Sequence, residues 1–96
     1  MTTMDHQQTT ADSITIRYFA WVRERVGRSE DHLVLPPSVE TIADLIAWLS
    51  ARGSTYEEAF KHPPAIRAAL DRVHVSHDAV IGRAREVGFF PPVTGG

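Results

Sequence analysis

The chain has 96 residues, of which 43% are hydrophobic and 23% charged, which is the composition of one ordinary globular domain. Its formal net charge of -2 provides no basic field, so we expect neither nucleic acid nor a membrane surface as a partner. Because the chain contains no cysteine, disulfides, thiolate zinc sites and cysteine nucleophiles are excluded. No apolar run approaches the roughly 20 residues that a membrane-spanning helix needs, and we expect a cytoplasmic protein.

The polarity of the chain predicts three segments. Residues 1–12 are almost entirely polar and cannot bury enough surface to offset their ordering entropy, so we expect a disordered tail there. Residues 13–92 form the predicted domain, and residues 93–96 a flexible carboxyl-terminal tail.

The first half of the domain begins with two predicted strands around a short helix. Apolar and polar residues alternate over residues 13–19 and again over residues 31–35, which is the two-residue period of a half-buried strand. Between them, two valines four residues apart in 20–26 are followed by Gly27, as in a short helix that ends in a left-handed residue. Pro36-Pro37 ends the second strand, and we expect the two strands to pair as a hairpin.

A longer helix is predicted over residues 41–52, where apolar residues recur at helical spacing. Thr41 can cap its start, and Asp44 stands at the position of a capping-box partner. We expect Gly53 to close this helix. Residues 54–64 are less regular, with a further helical turn as one interpretation.

Alternation over residues 65–70, 73–77 and 85–90 predicts the remaining strands, with a turn at Asp71-Arg72. The order is therefore two strands, a helix and two or three strands, with one long helix available to cover one sheet face. This is an α+β layout of the β-grasp, or ubiquitin-like, type, with a mixed sheet of four to five strands.

The two phenylalanines near the end of the chain predict an exposed patch. Neighbouring strand residues point to opposite faces, so Phe89 and Phe90 cannot both pack beneath one helix. One ring should lie on the uncovered face beside Tyr18 or Phe19, where an apolar patch would mark a partner surface. The alternative is that both rings are buried by the twist of the strand and by flanking loops.

The last six residues have the properties of a projecting tail. Pro91-Pro92 ends the strand and stiffens the backbone, and six extended residues can reach about 20 Å. Gly95 and Gly96 lack Cβ atoms, so this end can enter a channel that is too narrow for side chains. A frayed end or an expression remnant is the alternative explanation for the two glycines.

The carboxyl-terminal sequence FFPPVTGG resembles that of the small subunit of molybdopterin synthase, a sulfur carrier family. Residues 16–20, 22–24 and 26–27 resemble the first strand and short helix of the same family, and the resemblance covers residues 14–96. Two departures are visible. Residues 83–85 read Arg-Ala-Arg where the family commonly has Asp-Gly-Asp, and Asp71 stands at a position that is usually Asn.

The resemblance implies a chemistry that takes place on the main chain. A ubiquitin-activating-like adenylyltransferase would adenylate Gly96 with ATP, and sulfur from a sulfurtransferase or persulfide donor would convert it to a thiocarboxylate, a 1-thioglycine. The thiocarboxylate would donate its sulfur to cyclic pyranopterin monophosphate in the large subunit and so form the molybdopterin dithiolene. The chain would be no enzyme on its own, would bind no cofactor, and would belong to a heterotetramer.

The reactive end is therefore assigned to Gly96 with Gly95, and the catalytic side chains to the large subunit. The predicted partner interface consists of Phe19, Arg23, Phe89, Phe90, Pro91, Pro92, Val93 and Thr94. For Arg23, a partner carboxylate and simple solvation are equally compatible with the sequence.

Other chemistry finds little support in the sequence. The five histidines have no metal-ligand spacing, and no glycine-rich nucleotide loop is present. Glu57-Glu58 is interpreted as a solvated pair and not as an acid/base dyad. Two alternative functions remain open: a carrier for thiamine or tRNA thiolation or a ubiquitin-like protein modifier, and a β-grasp interaction module with an incidental Gly-Gly end.

Overall fold

The computed structural model describes residues 13–92. The predictions for the tail of residues 1–12, and for Val93, Thr94, Gly95 and Gly96, fall outside the described residues. The assignment of the reactive end to the two glycines therefore stays a prediction from the sequence.

The described residues form a mixed sheet of five strands. The strands are β1 (Ser13–Tyr18), β2 (Glu30–Val34), β3 (Arg67–Leu70), β4 (Val73–Val75) and β5 (Glu86–Phe90), in the spatial order β2-β1-β5-β3-β4. β1 and β5 are parallel at the centre of the sheet, and all other neighbours are antiparallel. Because β1 and β5 are parallel, both strands end at the same edge of the sheet.

Three helices pack together on one face of this sheet. They are α1 (Ala20–Val26), α2 (Ile42–Ser50) and α3 (Ser54–Phe60), and a 3-10 turn (Pro63–Ala65) leads into β3. α3 contacts both α1 and α2. The predicted long helix is α2, and the uncertain segment after it contains a helix of its own. No helix among residues 13–92 combines the length and the apolar character needed to cross a bilayer.

The core lies between the helices and the sheet, and it confirms the predicted periodicities. In β1, Ile14, Ile16 and Tyr18 are buried, while the residues between them are half-buried. The buried apolar residues of all three helices belong to the same cluster as those of β1 and β5. The sequence patterns therefore set which side of each element faces inward.

Helix ends follow the predicted capping chemistry at two of three positions. Gly27 adopts φ 92° after α1 and donates its N–H to the Arg23 carbonyl at 2.8 Å. At the start of α2, the Thr41 hydroxyl accepts the Asp44 N–H, and the Asp44 carboxylate accepts the Thr41 N–H, both at 3.1 Å. This reciprocal pair is the predicted capping box.

The prediction that Gly53 closes α2 is wrong. α2 ends at Ser50, and the N–H groups of Ala51 and Arg52 bond three residues back, to the carbonyls of Trp48 and Leu49. This tightened last turn satisfies the terminal carbonyls without a left-handed residue. Gly53 is extended at φ 163° and immediately precedes α3.

The turn between β3 and β4 brings together the two departures from the family pattern. Asp71 and Arg72 both have positive φ, 47° and 73°, a region that Asp tolerates better than most residues. The Asp71 Oδ1 accepts the backbone N–H groups of Arg85 and Glu86 at 3.0 Å each. The Asp71 carboxylate therefore fixes the segment that enters β5.

Candidate functional site

The site is built where β1 and β5 end side by side. Arg17 pairs with Gly88 and Tyr18 with Phe89 in the parallel register, and the Phe19 N–H continues this ladder by donating to the Phe89 carbonyl at 3.0 Å. The chain therefore leaves β5 toward Pro91 directly beside the start of α1. We call the sheet face opposite the helices the open face.

Phe89 and Phe90 lie on opposite faces, as alternation along a strand requires. Phe89 is fully buried, and its ring meets that of Phe60 edge-on with 5.1 Å between centroids. Phe90 is half-buried on the open face, with its ring centroid 5.0 Å from that of His74. The assignment of Phe89 to the partner interface is therefore corrected, since its side chain is part of the core.

Phe19 supplies the exposed ring at the end of β1. Its side chain is 42% exposed, whereas Tyr18 is 1% exposed and belongs to the core. The Phe19 ring lies over Gly88, where an added Cβ atom would be 3.4 Å from it, so a side chain larger than that of alanine at position 88 would displace the ring. Phe19 and Phe90 thus form an apolar patch at the sheet edge from which the carboxyl-terminal segment leaves, with Pro91 and Pro92 half-buried next to it.

Charges on the β1 and β2 side of the open face are paired within the chain. Arg17 lies 3.5 Å from a Glu30 carboxylate oxygen and 3.9 Å from one of Glu86. His32 Nε2 is 2.9 Å from the Glu30 carboxylate. Arg23 on α1 is exposed and makes no ion pair among the described residues, so its assignment to the interface stays a prediction.

A buried carboxylate lies on the helix side of the sheet, opposite the open face. Asp31 is 4% exposed and accepts hydrogen bonds from the hydroxyls of Tyr18, at 2.8 Å, and Tyr56, at 2.7 Å, and from the Arg28 guanidinium. Burial opposes ionisation of Asp31, but the three donors outweigh it and lower its pKa. Burial, reinforced by the Asp31 hydrogen bond, raises the pKa of Tyr18. This network ties β2, β1 and α3 together next to Phe19.

The sequence analysis did not single out Asp31 or Gly88, although the sequence pattern around each residue indicates its position in the sheet. Asp31 stands two residues before Leu33 in β2, which is the inward position of a two-residue period. Gly88 interrupts a run of strand-forming residues, and a glycine inside a strand often marks the close approach of another group.

Residues 13–92 offer no second site with evident chemistry of its own. No group of three His, Asp or Glu side chains among them could hold a metal ion. A cavity of about 650 Å³ lies where β1 and β5 begin, between residues 35–40 and 80–85. Since both strands run away from it, this cavity is at the opposite end of the sheet from the Phe19–Phe90 patch.

A family model matches the chain from residue 16 to residue 96 and is that of the ThiS family. This chain belongs to the ThiS family. The match runs through β5 to the last glycine and therefore includes the segment that follows the patch.

Two relatives of this ThiS-family chain match it over nearly their whole length. It is 37% identical over 84 residues to the molybdopterin synthase sulfur carrier subunit of Escherichia coli, an alignment that covers 86% of this chain and 99% of that protein. Among solved structures, a Pyrococcus furiosus protein described as molybdopterin converting factor, subunit 1, matches with a TM-score of 0.68 and 28% identity, over 84% of this chain and 98% of its own.

A more distant structural relative shows the fold alone. The small archaeal modifier protein 1 of Haloferax volcanii has a TM-score of 0.58 and 16% identity, over 84% of this chain and 98% of its own. Together these relatives confirm the predicted ubiquitin-like β-grasp fold and the family to which the carboxyl-terminal sequence pointed.

Proposed function

We propose that this chain is the sulfur carrier subunit of a molybdopterin synthase. The observation that carries the proposal is the 37% identity to the Escherichia coli carrier, which spans 99% of that protein. The family match ends at residue 96, so the terminal Gly95-Gly96 lies inside the matched region. The exposed Phe19 and half-buried Phe90 supply the apolar surface that a carrier needs for docking.

The proposed chemistry uses the main-chain carboxylate of Gly96. An adenylyltransferase activates it: a carboxylate oxygen attacks the α-phosphorus of ATP, and pyrophosphate leaves. The outer sulfur of a persulfide, carried by a sulfurtransferase or another persulfide donor, then attacks the carbonyl carbon, and AMP leaves. A second donor thiol attacks the inner sulfur of the resulting acyl disulfide, so that a donor disulfide forms and the carrier leaves with the outer sulfur. The product is a terminal thiocarboxylate. Because the reacting atoms are main-chain atoms, the carrier needs no catalytic side chain of its own.

The large subunit would receive the loaded tail and supply the catalytic side chains. Glycine at positions 95 and 96 allows the end to pass through a narrow channel, while Phe19 and Phe90 contact the surface around the entrance. Sulfur transfer to cyclic pyranopterin monophosphate would build the dithiolene, in an assembly of two large and two small subunits.

Complementation of an Escherichia coli strain that lacks its own carrier subunit tests this proposal. Expression of the full chain should restore molybdoenzyme activity, and the matched variant without Gly96 should not, although it folds equally well. Failure of a well-expressed chain to restore activity, with rescue of a thiamine or tRNA thiolation defect instead, would contradict the proposal. Isopeptide conjugates of the chain would indicate a protein modifier.

A further inference from the structure

The open face is electrostatically uneven. On the β1 and β2 side, the carboxylates of Glu30 and Glu86 lie near Arg17, and His32 adds a second partner to Glu30. On the β3 side, Arg67 is exposed and forms no ion pair within 4.0 Å among residues 13–92. The uncompensated positive charge of this face is therefore on the side of β3.

Arg67 lies beside the ring that the patch presents. It pairs directly with Phe90 across the antiparallel β3–β5 ladder, so both side chains are on the open face. A depression of about 410 Å³ adjoins them and is lined by Arg67, Ala68, His74, Val75, Ser76 and Phe90. The nearby Asp78 carboxylate accepts the Ser76 hydroxyl and makes no ion pair with Arg67.

We propose that Arg67 is a specificity-determining residue, which forms an ion pair with a carboxylate of the large subunit at this depression. The inference rests on the proposed function, because it takes the large subunit as the partner. Arg67 lies outside the interface that the sequence predicted.

The loss of water from Arg67 on binding explains why the partner needs a carboxylate at this point. A partner that covers the Phe90 ring also removes water from its cross-strand neighbour Arg67, and an unpaired buried guanidinium is strongly unfavourable. A carboxylate matches the guanidinium fork with two charge-assisted hydrogen bonds and removes that penalty. Partners with an apolar or basic group at this point are rejected, so the charge selects among proteins that could all accept the two phenylalanines.

The first test compares two charge-neutralising variants. Calorimetric titration of the large subunit from the same organism should show about tenfold weaker binding for Arg67→Gln. Arg83→Gln, which removes an equal charge at the opposite end of the sheet, should bind like the wild type. Raising the salt concentration should weaken wild-type binding more steeply than that of Arg67→Gln.

A second test locates the partner carboxylate. Lys61 is the only lysine of the chain, so Arg67→Lys creates one new amine that a carbodiimide can couple to an adjacent carboxylate. The amide forms as the activating group leaves as a urea. Mass spectrometry of the complex should find position 67 joined to an Asp or Glu of the large subunit.

The outcomes separate this inference from the proposed function. Tight wild-type binding that Arg67→Gln leaves unchanged, or that Arg83→Gln weakens equally, overturns the inference and leaves the carrier function standing. Cross-links through Lys61 without any at position 67 also overturn it. A large subunit that does not bind the wild-type chain contradicts the carrier function and this inference together.

Discussion

Tyr56 donates a hydrogen bond of 2.7 Å to the carboxylate of Asp31, 25 residues earlier in the chain. The same oxygen accepts the Tyr18 hydroxyl, and Tyr18 directly precedes the exposed Phe19. A buried acid on an outer strand thus joins a helix to the strand that presents the patch. Since every donor around Asp31 favours its ionised form, the network is stabilising while the carboxylate is charged.

Acid should weaken this network in a defined pH range. The pKa of Asp31 is lower in the folded chain than the value of about 3.9 for an unfolded Asp. The contribution of the ionised Asp31 to the free energy of unfolding is therefore fully present above about pH 4. It is lost as the pH falls through the lower pKa of the folded chain. Asp31→Asn should reduce the free energy of unfolding at pH 7 by about 1.5–3 kcal/mol, measured by urea denaturation.

Asp44 also contributes to the pH dependence of stability, because hydrogen bonds from the backbone N–H groups of Glu40 and Thr41 lower its pKa. This contribution is the same in the wild type and in Asp31→Asn, so the difference between the two proteins over pH reports on Asp31 alone. The difference between wild type and Asp31→Asn should shrink steadily below about pH 4. A difference that stays constant down to the acid transition would show that Asp31 ionisation does not stabilise the fold.

The phenylalanine pair should separate stability from binding. Phe89→Ala removes a fully buried ring and should lower the free energy of unfolding by about 3–5 kcal/mol. Phe90→Ala should lower it much less and instead weaken binding to the large subunit. Thermal denaturation and calorimetric titration measure the two effects. Phe89→Leu serves as the folded control, and equal losses of affinity in Phe89→Leu and Phe90→Ala would contradict the assignment.

Gly88 should tolerate only a small side chain. Alanine places its Cβ 3.4 Å from the Phe19 ring, which is close to an ordinary contact, so Gly88→Ala should bind the partner almost normally. Gly88→Val should displace the ring and weaken binding, with a change in stability below about 1 kcal/mol. Gly53→Val is the control, because a Cβ atom at position 53 would meet no other atom within 4 Å. Wild-type affinity in Gly88→Val would show that the position of the Phe19 ring over Gly88 does not affect binding to the partner.

Asp71 should be replaceable by asparagine but not by alanine. Asn keeps an oxygen for the N–H groups of Arg85 and Glu86 and tolerates the positive φ. Asp71→Ala loses both hydrogen bonds and should cost about 1–3 kcal/mol in the free energy of unfolding. Equal urea midpoints for the two variants would rule out the proposed role of this turn.

Local periodicity was enough to predict the strands and α2, and non-local pairing explains what it could not predict. Alternation showed that Phe89 and Phe90 point to opposite sides, but not which one is buried. That choice is fixed by the register with β1, where Tyr18 pairs with Phe89. The same holds for Asp31, whose inward position follows from β2, while its donors come from β1, α3 and the loop before β2. The position of Arg67 on the open face likewise depends on its pairing with Phe90 across the sheet.

The mass of the carboxyl-terminal peptide tests the central claim most directly. The chain should be co-expressed with its adenylyltransferase and a sulfur source, purified without reductant and cleaved, and its terminal peptide weighed by mass spectrometry. We predict that one oxygen of Gly96 is replaced by sulfur in the wild-type chain and that the terminal peptide of the variant without Gly96 contains no sulfur. An unmodified Gly96, under conditions that load the Escherichia coli carrier, would contradict the account.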